Sequence, residues 1–387
     1  MRVLHTSDWH LGRSFHGHSL MAEQRAFVEW LLELVDERAV DAVVVAGDVY
    51  DRAVPPVDAV ALWEFALTSL SRRCPVVVTS GNHDSPTRLG FARALLDRSG
   101  IHLRTSIAAI ADPVHVTGRD GTEAFLYGIP YLEPDLHRGD LSAERSHESV
   151  LDAAMRIVRA DVAPRGDARS IVIAHAFVTG AGTPSSVSDS ERDLRVGGIG
   201  DAPAHVFAGV DYVALGHLHG AQEVRGPSAL HYSGSPLPFS FSEEKHVKSV
   251  TIVDLPAAGP PSLERIPAPV PRPLTTLRGT LEELLEHPRR DECRDHWLRA
   301  VLTDPRRPDN PLGRLRTRYD FVAEIGFDRG DTAPAGGAST NESGAPTDPL
   351  ALAEAFVHHV TETPAGDPER RALRDAVEAV RARQVPA

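Results

Sequence analysis

The sequence predicts an α/β fold built on a layered sheet. Three observations carry this. Short β-branched runs alternate with amphipathic helical stretches through the first two-thirds of the chain, the alternation that buries a sheet between helices. Several of these runs end in a small cluster of Asp, His, Asn and Gly. The 387 residues are 42% hydrophobic and 25% charged, ordinary for a globular chain and long enough for two to three domains.

In chain order, Val3-Leu4-His5 opens a first strand. Residues 20–38 place Phe27, Leu31, Leu34 and Val35 at helical spacing. Asp41 to Ala46 reads as a buried strand, 57–71 as a helix, Val76 to Val78 as a strand and 86–97 as a helix. Ile171 to Ala174 and Tyr212 to Leu215 are further buried strands, and 230–254 is expected to form a β-hairpin region. Pro267 to Pro273 marks a boundary, and a small mixed segment follows over 274–325. Residues 329–347 have almost no large apolar groups. They cannot offset the entropy of ordering and are expected to be a flexible linker. In the tail, Asp348-Pro349 and Asp367-Pro368 each put an N-cap carboxylate before a proline at the first helical position. Leu352, Ala355, Phe356 and Val360, then Leu373, Ala376, Val377 and Val380, supply apolar faces. Two such short helices bury little alone, so they form a hairpin docked on their own domain or on a partner. The expected division is 1–265, 266–326, 327–347 and 348–387.

No run of 18 apolar residues is present, so no transmembrane helix is expected. The first eight residues lack the features of a signal peptide. Cys74 and Cys293 cannot build a disulfide framework and are expected as reduced thiols in a cytoplasm. Cys74 reads as a small buried hydrophobe, and Cys293 has no assigned role. The formal net charge is −13, from 41 basic and 54 acidic residues. That counts against whole-surface attraction to nucleic acid or membrane, but not against a local basic groove. Lys245 and Lys248 are the only lysines. Residues 289–318 hold nine arginines and five acids, a local excess of +4, which on its own reads as a solvated surface.

The chemistry lies in five clusters: Asp8-Trp9-His10, Gly47-Asp48-Val49-Tyr50-Asp51, Gly81-Asn82-His83-Asp84, a lone His175, and Gly216-His217-Leu218-His219. Loops at the carboxyl ends of parallel strands are where α/β sheets hold ligands. Carboxylate, imidazole and amide oxygen suit Mn²⁺, Fe or Zn²⁺. In an extended segment residues i and i+2 share a side, so Asp8 with His10, and His217 with His219, are expected to converge. Glycine before Asp48, Asn82 and His217 permits tight turns and close approach. Singly, each cluster is weak: Asp-x-His is common, a lone His175 reads as a core histidine, and Asp51 and Asp84 as turn residues. Together, in order and each after a strand, they indicate a metal site.

This set resembles the signature of the calcineurin-like metallophosphoesterases. Leu4-His5-Thr6-Ser7-Asp8-Trp9-His10-Leu11-Gly12, Ser188-Asp189-Ser190-Glu191-Arg192, Tyr212 to His219, and Tyr232-Ser233-Gly234-Ser235-Pro236 further resemble the SbcD family. Its members are nuclease subunits of bacterial SbcCD complexes, which process DNA ends and hairpins. The resemblance covers residues 1–325 and loosens in the tail. It implies an α/β fold with a layered β-sandwich flanked by helices, a small α/β capping domain and a C-terminal helical hairpin. It implies two Mn²⁺ ions, with Mg²⁺, Fe or Zn²⁺ as alternatives. Asp8, His10, Asp48 and His219 would hold one, and Asp48, Asn82, His175 and His217 the other, with Asp48 bridging. Such a pair clamps a phosphate diester and activates water for in-line attack. His83 would act at the scissile phosphate, Asp84 would orient His83, Asp51 would stand behind the ligands, and His5 would be a structural neighbour.

The resemblance further implies a cap that holds duplex DNA by its phosphates, with Arg306, Arg307, Arg314 and Arg316 as the contacts. The helices at 57–71 (Val60, Trp63, Phe65, Leu67, Leu70) and 86–97 (Leu89, Phe91, Leu95, Leu96) carry apolar residues that read mostly as core, and the resemblance implies a homodimer paired through helices in this region. It implies 3′–5′ double-strand exonuclease and single-strand or hairpin endonuclease activity in DNA repair, recombination and replication. The partner is an SbcC-type coiled-coil ATPase, gripped through 348–384. The chain itself has no Gly-x-x-x-x-Gly-Lys-Ser/Thr loop. Two rivals remain: a small-molecule phosphatase or cyclic-nucleotide phosphodiesterase using the same site, and a non-catalytic scaffold with a relict site.

Overall fold

The computed structural model describes residues 1–180, 188–191, 201–289, 291–328, 350, 353, 354, 357 and 366–383. Its first strands and helices are β1 (Arg2–Thr6), α1 (Met21–Glu37), β2 (Ala42–Ala46), α2 (Val57–Ser71), β3 (Val76–Thr79) and β4 (Ile101–Leu103). Then come β5 (Val114–Thr117), β6 (Glu123–Ile129), α3 (His147–Val162), β7 (Arg169–His175), β8 (Tyr212–Gly216), β9 (Gln222–Val224), β10 (Ala229–Tyr232), β11 (Ser249–Asp254) and β12 (Ser262–Pro267). They form two six-stranded sheets, ordered β12-β11-β1-β2-β3-β4 and β9-β10-β8-β7-β6-β5. The central strands of each sheet run parallel, with antiparallel strands at the margins.

Strand periodicity explains the layers. Successive side chains point to opposite faces. Val3, Ala42, Val44, Val77, Ile171, Ile173 and Ala214 therefore meet between the two sheets. Leu4, Val43, Val45 and Val78 turn outward onto Phe27, Leu31, Leu62 and Trp63 of α1 and α2. Val172, Ala174, Val213 and Leu215 turn outward onto Leu151, Ala154 and Val158 of α3. Both faces of each sheet are covered, which is why these strands read as unbroken apolar runs. The result is a β-sandwich flanked by helices, the fold class the sequence implied.

Two expectations fail. Residues 86–97 are not one helix. They form short helices Pro86–Leu89 and Arg93–Leu96, broken by Ala92 in the left-handed region at φ 59°. Nor is 230–254 a hairpin. β10 belongs to the second sheet, where it forms a hairpin with β9, while β11 crosses to pair with β1 in the first and forms its hairpin with β12. His5 is wedged between the sheets, its Nδ1 2.9 Å from Tyr212 Oη and its Nε2 3.2 Å from Leu215 O. Trp63, Leu67, Leu70 and Leu89 are core residues and Leu96 packs against them. Val57, Val60, Phe65, Phe91 and Leu95 are exposed.

Beyond β12, β13 (Leu274–Gly279), β14 (Trp297–Leu302) and β15 (Phe321–Phe327) make a parallel three-stranded sheet with short helices Leu281–Leu285 and Pro311–Leu315. Its own core includes Leu277, Leu284, Cys293, Leu298, Leu315 and Tyr319. An aromatic cluster of Phe15, Phe239, Phe241 and Trp297 fastens it to the sandwich. Arg272 lies over the rings of Trp297 and Phe321 while pairing with Glu23 at 2.5 Å. Met1–Asp328 form one compact unit and Arg329–Ala387 a second.

In the second unit α4 spans Asp367–Arg383. Arg370 N bonds Gly366 O at 2.9 Å, and Glu369 Oε2 accepts the Gly366 amide at 2.7 Å. Gly366 is thus the N-cap, and Asp367 sits inside the first turn rather than before it. Leu373 is half-buried and Ala376 exposed. The 329–347 linker, Asp348-Pro349, Leu352, Ala355, Phe356 and Val360, and the side chains of Val377 and Val380, lie outside the described residues. Among the described residues no helix is long and apolar enough to cross a membrane.

Candidate metal centre

The candidate ligands gather at the carboxyl ends of β1, β2, β3, β7 and β8. Their convergence has a different cause from the one expected. Asp8 (φ 55°), His10 (φ 45°), Asp48 (φ 49°) and His217 (φ 111°) have positive φ, four of the nine non-glycine residues that do so among those described. Left-handed kinks, not an extended strand, turn these side chains inward. Such conformations cost about 1–3 kcal/mol each and persist only where neighbours hold them. Here the loops hold one another: Asp8 N donates to Gly47 O, His10 N to Asp48 O and Leu11 N to Val49 O, at 2.8–3.1 Å. The glycines allow this approach. A Cβ on Gly47 would lie 2.4 Å from His175 Nδ1, and one on Gly81 2.1 Å from Asp48 Oδ1.

Donor atoms of Asp8, His10 and His219 all lie within 4.8 Å of one another, as do those of Asp8, Asp48 and His175 and those of His10, Asp48 and His83. Asp48 Oδ2 is 3.7 Å from His10 Nε2 and 3.5 Å from His175 Nε2. The His217 ring stands 5.4 Å from that of His175, and its amide donates to Asp8 at 3.0 Å. All seven expected ligands are therefore brought together.

The donor set fits divalent cations. His175 Nδ1 lies 2.9 Å from Ala46 O, an oxygen that only accepts, so Nδ1 carries the proton and Nε2 is bare. That bare nitrogen faces Asn82 Oδ1 at 3.0 Å. His10 Nε2 and His219 Nε2 face each other at 3.2 Å. The opposed lone pairs of His175 Nε2 and Asn82 Oδ1 are unfavourable unless a cation lies between them. Burial lifts the Asp8 carboxyl well above the usual range, and neighbouring Asp48 pushes the same way. Burial likewise keeps His10, His175 and His217 neutral, the state that ligates.

Asp84 does not touch His83, against expectation. Its carboxylate accepts the amides of Val49, Tyr50 and Gly81 at 2.9–3.1 Å, and burial, then Asp48, raises it to about 7. It holds the second and third loops together. His83 is oriented by Asp51 instead: His83 Nδ1 lies 2.8 Å from the Asp51 carbonyl, and the His83 amide donates to Asp48 Oδ1 at 2.9 Å. Asp51 Oδ1 is 3.8 Å from His10 Nδ1 and accepts Arg13 at 3.1 Å.

Several contributors escape sequence reasoning. Ser190, Glu191, Glu243 and Lys248 surround His219. The first two lie in the Ser188–Arg192 motif, which by itself suggests no role and whose Arg192 is outside the described residues. Lys248 carries one signal, a lysine in an arginine-rich chain. Beside the centre a groove of about 410 Å³ is lined by Arg13, His16, Ser190, Phe239, Arg299 and Glu324, and so spans the sandwich and the three-stranded sheet. Arg306, Arg307, Arg314 and Arg316 are all exposed. Arg307 and Arg316 line a second groove of about 350 Å³ along β15 with His16 and His18.

Residues 1–221 match the calcineurin-like phosphoesterase family, and residues 270–361 match a domain described as the type 5 capsule protein repressor C-terminal domain. The D subunit of nuclease SbcCD from Escherichia coli (strain K12) is 37% identical over 295 residues, 73% of this chain and 72% of that one. Its counterpart from Bacillus subtilis (strain 168) is 37% identical over 264 residues, 66% of each chain. Among solved structures, TT1561 of Thermus thermophilus is 15% identical, covering 69% of this chain and 98% of that one, with a TM-score of 0.41. The chain belongs to the calcineurin-like phosphoesterases and, within them, to the SbcD family of nuclease subunits.

Proposed function

We propose that this chain is a DNA nuclease, the catalytic subunit of an SbcCD-type complex, hydrolysing phosphodiester bonds at a two-cation centre. One observation carries the reading. Two buried carboxylates and the opposed lone pairs of His175 and Asn82 meet where five loops converge, beside a groove that runs on to the three-stranded sheet. Asp8, His10, Asp48 and His219 hold the first cation, and Asp48, Asn82, His175 and His217 the second, with Asp48 shared. Mn²⁺ is the ion we expect, the ligand types also suiting Mg²⁺, Fe or Zn²⁺. Bound divalent cations supply Lewis-acid polarisation of the phosphate and a water acidic enough to attack it.

The chain's own residues do the rest. Asp84 ties the Asp48 loop to its own through the Val49 and Tyr50 amides and braces its own turn through the Gly81 amide. The Asp51 carbonyl accepts a hydrogen bond from His83 Nδ1–H, which fixes the ring with Nε2 free to accept, and to donate to the scissile phosphate or its departing 3′ oxygen when the ring is doubly protonated. Arg13, beside Asp51 and over the Phe239 ring, gives the groove a cation for the phosphate backbone. Residues 266–326 serve as the cap, with Arg306, Arg307, Arg314 and Arg316 touching phosphates. A small-molecule phosphatase needs no such cap, which weighs against that reading.

The activity expected is 3′–5′ digestion of duplex ends and cutting of single strands and hairpins. Val57, Val60, Phe65, Phe91 and Leu95 offer an apolar face for a homodimer. Residues 348–384, beyond a linker at 327–347, bind an SbcC-type coiled-coil ATPase, in the cytoplasm. The deciding experiment is cleavage of an end-labelled DNA hairpin by the purified chain with Mn²⁺, beside Asp48→Ala. Cutting by the wild type alone supports the nuclease. Intact DNA with hydrolysis of a generic phosphodiester moves the small-molecule reading ahead.

A further inference from the structure

His219 is held on each of its polar atoms except Nε2. Its amide donates to Glu191 Oε1, whose Oε2 takes the Ser188 amide at 2.7 Å. Its carbonyl accepts Lys248 Nζ at 3.0 Å. Its Nδ1 lies 2.8 Å from Ser190 Oγ, and that hydroxyl donates to Glu243 Oε1 at 2.7 Å. Glu243 Oε2 in turn takes Lys248 Nζ at 2.5 Å, and Ser235 Oγ takes it at 2.9 Å. Glu243 and Lys248 are both buried.

The proton directions follow. The Ser190 hydroxyl hydrogen points at a carboxylate, so its oxygen must accept from Nδ1–H. His219 therefore carries its proton on Nδ1 and presents a bare Nε2 toward His10. A ligating imidazole needs this arrangement, because the partner of its far nitrogen fixes both tautomer and ring orientation. Stability does not account for the Lys248–Glu243 pair. Desolvating two charges costs several kcal/mol per ion, and an apolar replacement is often neutral or better. The need for lysine is geometric. Glu243 Oε2, Ser235 Oγ and His219 O surround one nitrogen, which suits an ammonium with three donors and not a planar guanidinium. Only two of the chain's 41 basic Lys and Arg residues are lysines, and one of them is here.

We propose that Ser190, Glu243 and Lys248 are positioning residues that present His219 Nε2 to the first cation, the buried ion pair acting through the serine hydroxyl. This rests on the two-cation reading above. The test uses the full chain and Mn²⁺ alone, without DNA, read by calorimetry and by electron paramagnetic resonance. The wild type should bind two Mn²⁺ that are magnetically coupled. Ser190→Ala, which alters a partly exposed hydroxyl and spares the buried pair, should weaken one of the two ions by about 10–100-fold and leave the other unchanged. The coupled spectrum should give way to that of an isolated ion, and Ser190→Thr should restore it. Glu243→Gln and Lys248→Arg should resemble Ser190→Ala. Wild-type affinity and a coupled spectrum in Ser190→Ala would overturn the positioning role while leaving the two-cation centre standing. A wild type that binds no Mn²⁺ would overturn the centre and this inference with it.

Discussion

Replacing Gly81 with alanine tests the packing of the centre most directly. The new Cβ would sit 2.1 Å from Asp48 Oδ1, 2.4 Å from Asp48 N and 2.7 Å from Asp48 Cγ. Ordinary van der Waals separation begins near 3.4 Å, so the two loops must part by about 1 Å. A rotamer change cannot relieve it, since one of the obstructing atoms is backbone. Separation also pulls on the bonds that join these loops, from the Val49 and Tyr50 amides to Asp84 and from the His83 amide to Asp48. Overpacking of this kind costs about 1–3 kcal/mol, and a reacting group misplaced by about 1 Å costs about 10²-fold in rate. The assay is the initial rate of Mn²⁺-dependent hairpin cleavage, with thermal unfolding run alongside. We expect the rate to fall by about that factor while the protein remains folded at the assay temperature. Cleavage at the wild-type rate would refute the claim that Asp48 is held in place by the absence of a side chain at position 81.

Three further outcomes are expected. Gly139→Ala, at an exposed site in the helix Pro134–Leu141 with nothing within 4 Å of the new Cβ, should raise stability by about 0.5–1 kcal/mol in denaturant unfolding and leave cleavage unchanged. His83→Ala should keep both cations, measured by metal content, and lose cleavage; a fall in metal as deep as that of Asp48→Ala would make His83 a ligand. Reversing the charge of Arg306, Arg307, Arg314 and Arg316 should weaken DNA binding and flatten its dependence on salt, by about 0.9 in logarithmic slope for each phosphate no longer neutralised. An unchanged slope would remove these arginines from the interface.

The candidate ligands are legible in the sequence because they follow strand ends in chain order, and side-chain type alone declares what can hold a cation. How they converge is not legible. A left-handed Asp8, His10 or Asp48 cannot be picked out by residue type, since most Asp and His residues have negative φ even though both are enriched among the exceptions. Asp84 shows a second limit. Next to His83 in sequence, it reads as His83's partner, yet the turn points its carboxylate at amides of the neighbouring loop. Asp51, more than thirty positions away, supplies the hydrogen bond instead. Glu243 and Lys248 are invisible for a related reason. Their partner His219 lies 24 and 29 residues upstream, and no local period connects them.

Secondary structure divides along the same line. α1 and α2 are readable to within a residue or so, because an amphipathic helix is a property of its own segment. The apolar strands are readable because both their faces are buried, whatever lies against them. Strand order is not. That β11 leaves β10's sheet to pair with β1, turning an expected hairpin into a crossover between sheets, depends on pairing across more than two hundred residues. The sequence by itself determined the chemistry at hand, carboxylates, imidazoles and an amide at strand ends, together with the family. Tertiary structure alone decided which of those groups face one another, which proton sits on which nitrogen, and which distant residues hold them. Those are matters of distance between loops, and distance between loops is set by packing rather than by neighbouring residues.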